Sequence, residues 1–140
     1  MISTFDVQTS LIAQLNALIT AGTITPSTLT CAEFNYQGSD YSYPCLRVSV
    51  DLSTRARNGG CQPTIAAITI IAYSEQPSSG QAAGIAESVA EALNNRRLTI
   101  ESLSSSPLRA MSMPKPVPLG GERGWATHVT AECEVPTGWR

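Results

Sequence analysis

The chain has 140 residues, a length typical of one domain that buries roughly two-thirds of its unfolded surface. Nine basic and eleven acidic residues give a net charge of −2. This balance argues against a protein that binds nucleic acid mainly by neutralising phosphates, because such binding needs a clustered excess of basic charge.

The N-terminal residues lack a basic segment followed by an apolar segment, and no run of 18 apolar residues occurs. We therefore expect a soluble protein made in a cytoplasm. Cys31, Cys45, Cys61 and Cys133 form no C-x-x-C pair, and His128 is the single histidine. This pattern favours four reduced thiols and no bound metal.

The first predicted element is a helix over residues 4–21. Ser3 or Thr4 can cap its N-terminus, Asp6 suits the positive end of the helix dipole, and Gly22 suits the position after its C-terminus. The apolar residues predicted to share one broad face are Phe5, Val7, Leu11, Ile12, Leu15, Leu18 and Ile19.

Three strands are predicted next, over 29–36, 45–52 and 64–73. The second alternates apolar and polar residues, which is typical of a half-buried strand. The third has β-branched residues at both odd and even positions and no charge, so both of its faces need burial. We expect 64–73 to be the central strand of the sheet.

A second helix is predicted from Ser78 to about Asn95. Ser78 with Gln81 fits a capping box at its start. Arg96 and Arg97 follow its negative C-terminal end, where cations are favoured.

The remaining chain predicts a strand at 98–103, an extended Ser/Pro/Gly-rich arm at about 104–121 and a closing strand at 125–135. The alternate prolines at 114–118 remove ladder donors, so this part of the arm cannot be an interior strand. The predicted order α-β-β-β-α-β-β indicates one α+β domain with a mainly antiparallel sheet of four to five strands.

No phosphate loop, dinucleotide fingerprint, G-x-S-x-G or H-E-x-x-H is present, so the sequence offers no known motif for catalysis or for a cofactor. His128 and Cys133 are five residues apart on a predicted strand, which places them on opposite faces. Glu132 and Glu134 share a face, which paired-carboxylate catalysis would need, but carboxylates two residues apart on an edge strand are usually only solvated.

Two connections are candidates for contacts with other chains. The loop 53–60 carries Arg55 and Arg57, and the alternative interpretation is that both are solvated. The arm carries the adaptable apolar residues Met111 and Met113, and the alternative is a plain loop. The full set of candidate interface residues is Arg55, Arg57, Met111, Met113, Lys115, Arg123 and Trp139.

The chain resembles the tail terminator (tail completion) proteins of long-tailed bacteriophages, in the lambda-type minor tail protein superfamily. The likeness covers about residues 5–135 and lies in the order of elements. Tyr43-Pro44 precedes the strand 45–52, and an alanine-rich helix, an extended arm and a closing strand opened by Trp125 follow the apolar strand. No short signature motif carries it.

The resemblance implies a non-enzymatic virion protein that forms a homo-hexameric ring. Such a ring caps the tail tube, ends its polymerisation and joins the tail to the neck. Its partners would be the tail tube protein and a neck or connector protein, with genomic DNA passing through the lumen without specific binding. The implied location is the tail–neck junction of the virion, after assembly in the host cytoplasm.

Two other function classes stay open from the residues alone. A neck or head-completion adaptor would share this composition but bind the portal side. A small enzyme or ligand-binding domain would bring His128 or several carboxylates together in one cleft, whereas a ring protein would spread its polar contacts along its edges.

Overall fold

The computed structural model describes residues 3–26, 28–33, 44–54, 64–100, 103–112, 116–118 and 124–135. Within this part of the chain lie two helices, a main sheet and a separate two-stranded hairpin. The helices are α1 (Thr4–Thr20) and α2 (Gly80–Leu93). The strands are β1 (Thr30–Glu33), β2 (Cys45–Thr54), β3 (Thr64–Ser74), β4 (Thr99–Ile100), β5 (Leu103–Ser104), β6 (Arg109–Ser112), β7 (Val117–Pro118) and β8 (Trp125–Val135).

The main sheet has the strand order β1-β2-β3-β8-β6, and the short β7 also pairs with β8. Every pairing is antiparallel except that of β1 with β2, which is parallel. The α+β class with a mainly antiparallel sheet is therefore confirmed. Among the described residues the main sheet has six strands, against the four to five predicted, because the arm contributes the two short strands β6 and β7.

The strand β3 is the central strand, as the sequence predicted. It pairs with β2 on one side and with β8 on the other along its whole length. Both of its faces contribute buried side chains: Ile68 and Ile70 face the helices, while Ile65 and Ile71 lie on the opposite face. The β-branched residues at odd and even positions reflect this two-sided burial.

Both helices pack on the same face of the sheet, and one hydrophobic cluster joins them to it. The helix α1 packs on β1 and β2, while α2 packs on β3, β8 and β6. The small Ala82 and Ala86 are buried in α2 and permit its close approach to the sheet. Neither helix is long and apolar enough to cross a membrane.

Both ends of α1 follow the sequence prediction, and one residue of its predicted apolar face does not. The Ser3 hydroxyl accepts from the Asp6 amide at 3.1 Å, and the Asp6 carboxylate accepts from the Ser3 amide at 2.9 Å. Gly22 has φ +82, as expected after a helix C-terminus. Phe5 was expected in the apolar face but is 68% exposed, because it lies on the flank of that face, away from the stripe centred on Leu11.

The predicted capping box of α2 is wrong. The helix begins at Gly80, and its N-cap residue Ser79 makes no side-chain capping bond. The Ser78 hydroxyl accepts from the Gly80 amide two residues on, at 3.2 Å. Gln81 instead uses its side-chain oxygen to accept a hydrogen bond from the buried Ser74 hydroxyl. A buried hydroxyl needs a partner, and that need competes with capping.

The predicted strand 98–103 is also wrong as a member of the main sheet. Among the described residues, β4 and β5 are antiparallel, and they pair with each other and with no strand of the main sheet. Leu98 and Ile100 are fully buried in the core. Two hydrogen bonds between Leu98 and Ser105 extend this pairing: the Ser105 hydroxyl accepts from the Leu98 amide at 2.9 Å, and the Ser105 amide donates to the Leu98 carbonyl at 2.8 Å.

Candidate interaction surface

The strands β6 and β7 of the arm pair with β8 on the side away from β3, so they form one lateral edge of the chain's own sheet. Its strand β6 is aligned with β8 from Arg109 beside Glu132 to Ser112 beside Val129. Before β6, the Ser106 hydroxyl accepts from the Glu134 amide at 2.8 Å. The described part of the arm therefore forms an edge of its own sheet. This agrees with the prediction from its prolines that it cannot be an interior strand.

Of the seven interface residues predicted from the sequence, one lies in the part of the chain that the structure describes. Met111 belongs to β6, with its backbone aligned with that of Thr130. The other six lie outside the described residues: Arg55, Arg57, Met113, Lys115, Arg123 and Trp139. Their part in any contact between chains stays a prediction.

The face of the sheet opposite the helices, called here the outer face, changes in burial along the strands. Near the start of β2, Cys45 and Arg47 are buried, and Ile71, which is aligned with Arg47, is buried too. Next, Ser49 and its aligned partner Thr69 are partly exposed. The centre of the outer face is therefore more accessible than the end that carries Arg47.

One line of residues across the outer face is exposed at every position. Asp51 of β2 is aligned with Ala67 of β3, Ala67 with Glu132 of β8, and Glu132 with Arg109 of β6. All four residues are exposed. This set, called here the charged row, carries an acid toward one lateral edge of the sheet and a base at the other. The alternation of β2 predicted an outward Asp51, but no local pattern relates Asp51 to Arg109.

The groups considered for catalysis are spread over both faces of β8. His128 is on the outer face, aligned with Ile71, and is partly exposed. Cys133 is on the helix-covered face and is buried in the core. The predicted separation of these two side chains is confirmed, as is the shared outer face of Glu132 and Glu134. A direct proton transfer between the thiol and the imidazole is excluded by the sheet between them.

Burial sets the state of the described thiols. Desolvation raises the pKa of the Cys31 thiol to about 12, against the lowering effect of the nearby Arg47 charge. Burial also raises the pKa of Cys133, and a hydrogen bond with Ser105 opposes that change. Both thiols are therefore protonated near neutral pH and are poor nucleophiles. Cys45 is buried as well, and Cys61 lies outside the described residues.

A groove of about 390 Å³ lies between the turn after α1 and the last turns of α2. The Ser88 hydroxyl accepts from the Thr25 amide at 3.3 Å and donates to the Thr23 carbonyl at 3.4 Å. Arg96 donates from Nε to the Ala92 carbonyl at 2.6 Å, as a cation at a helix C-terminus is expected to do. These polar groups hold the turn and the helix end in place. The groove is lined by Thr23, Ser88, Glu91, Ala92, Asn94, Asn95 and Arg96.

Comparisons with known proteins establish the fold and nothing finer. No protein-family model matches the sequence, and no curated protein is similar to it. Six chains of solved structures match, and one of them, whose name states no activity, matches over 100% of both chains with a TM-score of 0.63 and 13% sequence identity. At that identity the likeness shows that the two chains share a fold.

Proposed function

We propose that this protein is a non-enzymatic bacteriophage virion protein that forms a homo-hexameric ring on the end of a tail tube. The ring ends polymerisation of the tube and joins the tail to the neck. The observation that carries the proposal is that the elements begin in the order α-β-β-β-α-β, which agrees with the order on which the resemblance to tail terminator proteins rests.

The distribution of polar groups supports an assembly role over a catalytic one. Nucleophilic catalysis by a thiol needs a general base within hydrogen-bonding reach of that thiol. Here His128 and Cys133 lie on opposite faces of β8. The exposed charges of the charged row instead extend across the sheet toward both lateral edges, which is where a protein that contacts its own copies side by side needs them.

The proposed partners follow from this role. One end of the ring binds the tail tube protein, the other binds a neck or connector protein, and genomic DNA passes through the lumen. The net charge of −2 per chain, repeated around the lumen, lets DNA pass without sticking, because like charges repel. The proposed location is the tail–neck junction of the virion, after assembly in the host cytoplasm.

Negative-stain microscopy of the purified protein mixed with tail tubes tests this function. We expect a density at one end of each tube and tubes that stop growing once they are capped. A protein that leaves tubes uncapped and binds the portal side would contradict the proposal and favour a neck adaptor. A monomer in solution is compatible with it, because rings can form on the tube itself.

Deletion of residues 115–118 tests the part that the arm plays. The deletion removes the two-residue strand β7, which is aligned with β8 only at Val117 and Pro118. We expect unchanged circular dichroism and fewer capped tubes. Loss of the folded signal would show that this segment is needed for the fold itself.

A further inference from the structure

The charged row spans the sheet but cannot form an ion pair between its own ends. Asp51 and Arg109 are separated by the strands β3 and β8. With neighbouring strands about 4.8 Å apart, their Cα atoms lie roughly 14 Å from each other. Both side chains are exposed. Asp51 and Arg109 therefore carry opposite charges at the two ends of the charged row but are too far apart to form an ion pair within one chain.

The two ends of the row lie toward opposite lateral edges at the same height along the strands. Among the described residues, β1 ends at Glu33, beside Val48, three positions before Asp51. On the other side, β6 is the outermost strand at Arg109. The strand β6 also runs antiparallel to β2, because each of the three pairings between them is antiparallel.

A ring imposes a simple condition on such edges. Rotation about the ring axis keeps the height of every atom along that axis, and each contact joins two different patches of one surface. If the strands run along the axis, the β6 side of one copy meets the β2 side of the next copy at equal height. Residues of the same row then meet each other.

We propose that Asp51 of each copy pairs with Arg109 of the neighbouring copy, so that the two lateral edges of the sheet form the contact between copies. This inference rests on the proposed ring function and names the surface through which the ring closes. The opposite charges fix the register of neighbouring copies. They also disfavour contacts between two like edges, which bring Asp51 against Asp51 or Arg109 against Arg109.

Glu132 is the acid that competes for Arg109 within one chain. It is aligned with Arg109 on the adjacent strand and lies on the same face. The planar guanidinium has five N–H donors, so one arginine can serve a carboxylate on each side. The experiment must therefore separate a role of Arg109 within its own chain from a role between chains.

A charge swap tests the contact. The variants are Asp51→Arg, Arg109→Asp and the double variant that carries both changes. Each single change places like charges together at every contact, and we expect assembly about tenfold weaker at low salt. The double variant restores the pair with its polarity reversed, and we expect assembly within about threefold of the wild type. The readouts are sedimentation velocity and the fraction of capped tubes.

Two control variants keep the result specific. Glu87→Arg makes the same charge change as Asp51→Arg at an exposed position in α2, and assembly should stay unchanged. Glu132→Gln removes the competing acid within the chain and should also leave assembly intact. Circular dichroism shows that each variant is folded.

The outcomes separate this inference from the proposed function. If the wild type caps tubes and the single variants assemble as well as it does, the edge contact is overturned and the ring function is not. The same holds if the double variant assembles as weakly as the single variants. Loss of assembly in Glu132→Gln equal to that in Asp51→Arg also overturns it. A closed dimer restored by the swap overturns the side-by-side arrangement. Rings that obey the swap but never cap tubes overturn the proposed function alone.

Discussion

The central position of β3 makes one substitution, Ile70→Ala, especially informative. Ile70 is fully buried on the helix-covered face. It lies between Val48 of β2 and Val129 of β8, both of which are also fully buried. Removing most of its side chain leaves a cavity that rigid neighbouring strands cannot fill by collapsing.

The expected loss of stability follows from the atoms removed. Isoleucine to alanine deletes three carbon groups, which at about 0.8 kcal/mol each is a transfer term of roughly 2.4 kcal/mol. The residual cavity adds to this, so we expect a total of about 3–4 kcal/mol, within the range of about 2–5 kcal/mol for such changes. Ile71 is 9% exposed on the outer face, and Ile71→Ala should cost about 2 kcal/mol.

Urea denaturation followed by circular dichroism measures both losses, at concentrations where the protein is monomeric. Ile70→Val should cost about 0.5–1.5 kcal/mol, which gives a graded series. Ala67→Ser, at an exposed position of the same strand, should change stability by less than about 0.5 kcal/mol. An Ile70→Ala loss below about 1 kcal/mol would refute the central placement of β3.

Three further predictions concern single polar groups. Ser105→Ala leaves the Leu98 amide without its 2.9 Å bond in a buried site, and thermal unfolding should show a loss of about 1–3 kcal/mol. Ser3→Ala removes the cap of α1 and should cost about 0.5–2 kcal/mol, whereas Ser3→Asp should retain most of the stability. The pKa of Cys31 is raised from 9.0 to about 12, so its contribution to stability is complete below pH 9 and is lost as the pH rises toward 12. Cys31→Ala should flatten that decline in urea titrations at increasing pH, and an unchanged decline would show that other groups cause it.

The elements that the sequence predicted correctly are those with a strong local period. The alternation from Leu46 to Leu52 reports only whether a side chain faces the core, and pleating enforces that period whatever the partner strand is. The helical spacing of Val7, Leu11 and Leu15 is local in the same sense. The flank position of Phe5 was missed, because a broad apolar face does not show how far the neighbouring strands extend.

Elements that depend on distant partners were predicted less well. The apolar residues at 98–103 suit a strand of the main sheet, but in the structure β4 pairs with β5, and beside that pairing the Leu98 amide donates to the Ser105 hydroxyl. Gln81 has the right spacing from Ser78 for a capping box, yet its side-chain oxygen accepts a hydrogen bond from the buried Ser74 hydroxyl instead. In both cases a buried polar group found a partner that local spacing does not reveal.

By itself the sequence determined the α+β class, the central strand and the inward or outward direction of most strand residues, since each follows from periodicity over a few neighbours. Only the tertiary structure decided which strands are adjacent and in which register. Asp51, Glu132 and Arg109 come from three separate strands, and a shift of two residues in any one pairing would leave every burial pattern intact while breaking the charged row. Register is a property of long-range pairing, so the charged row exists only once the sheet has formed.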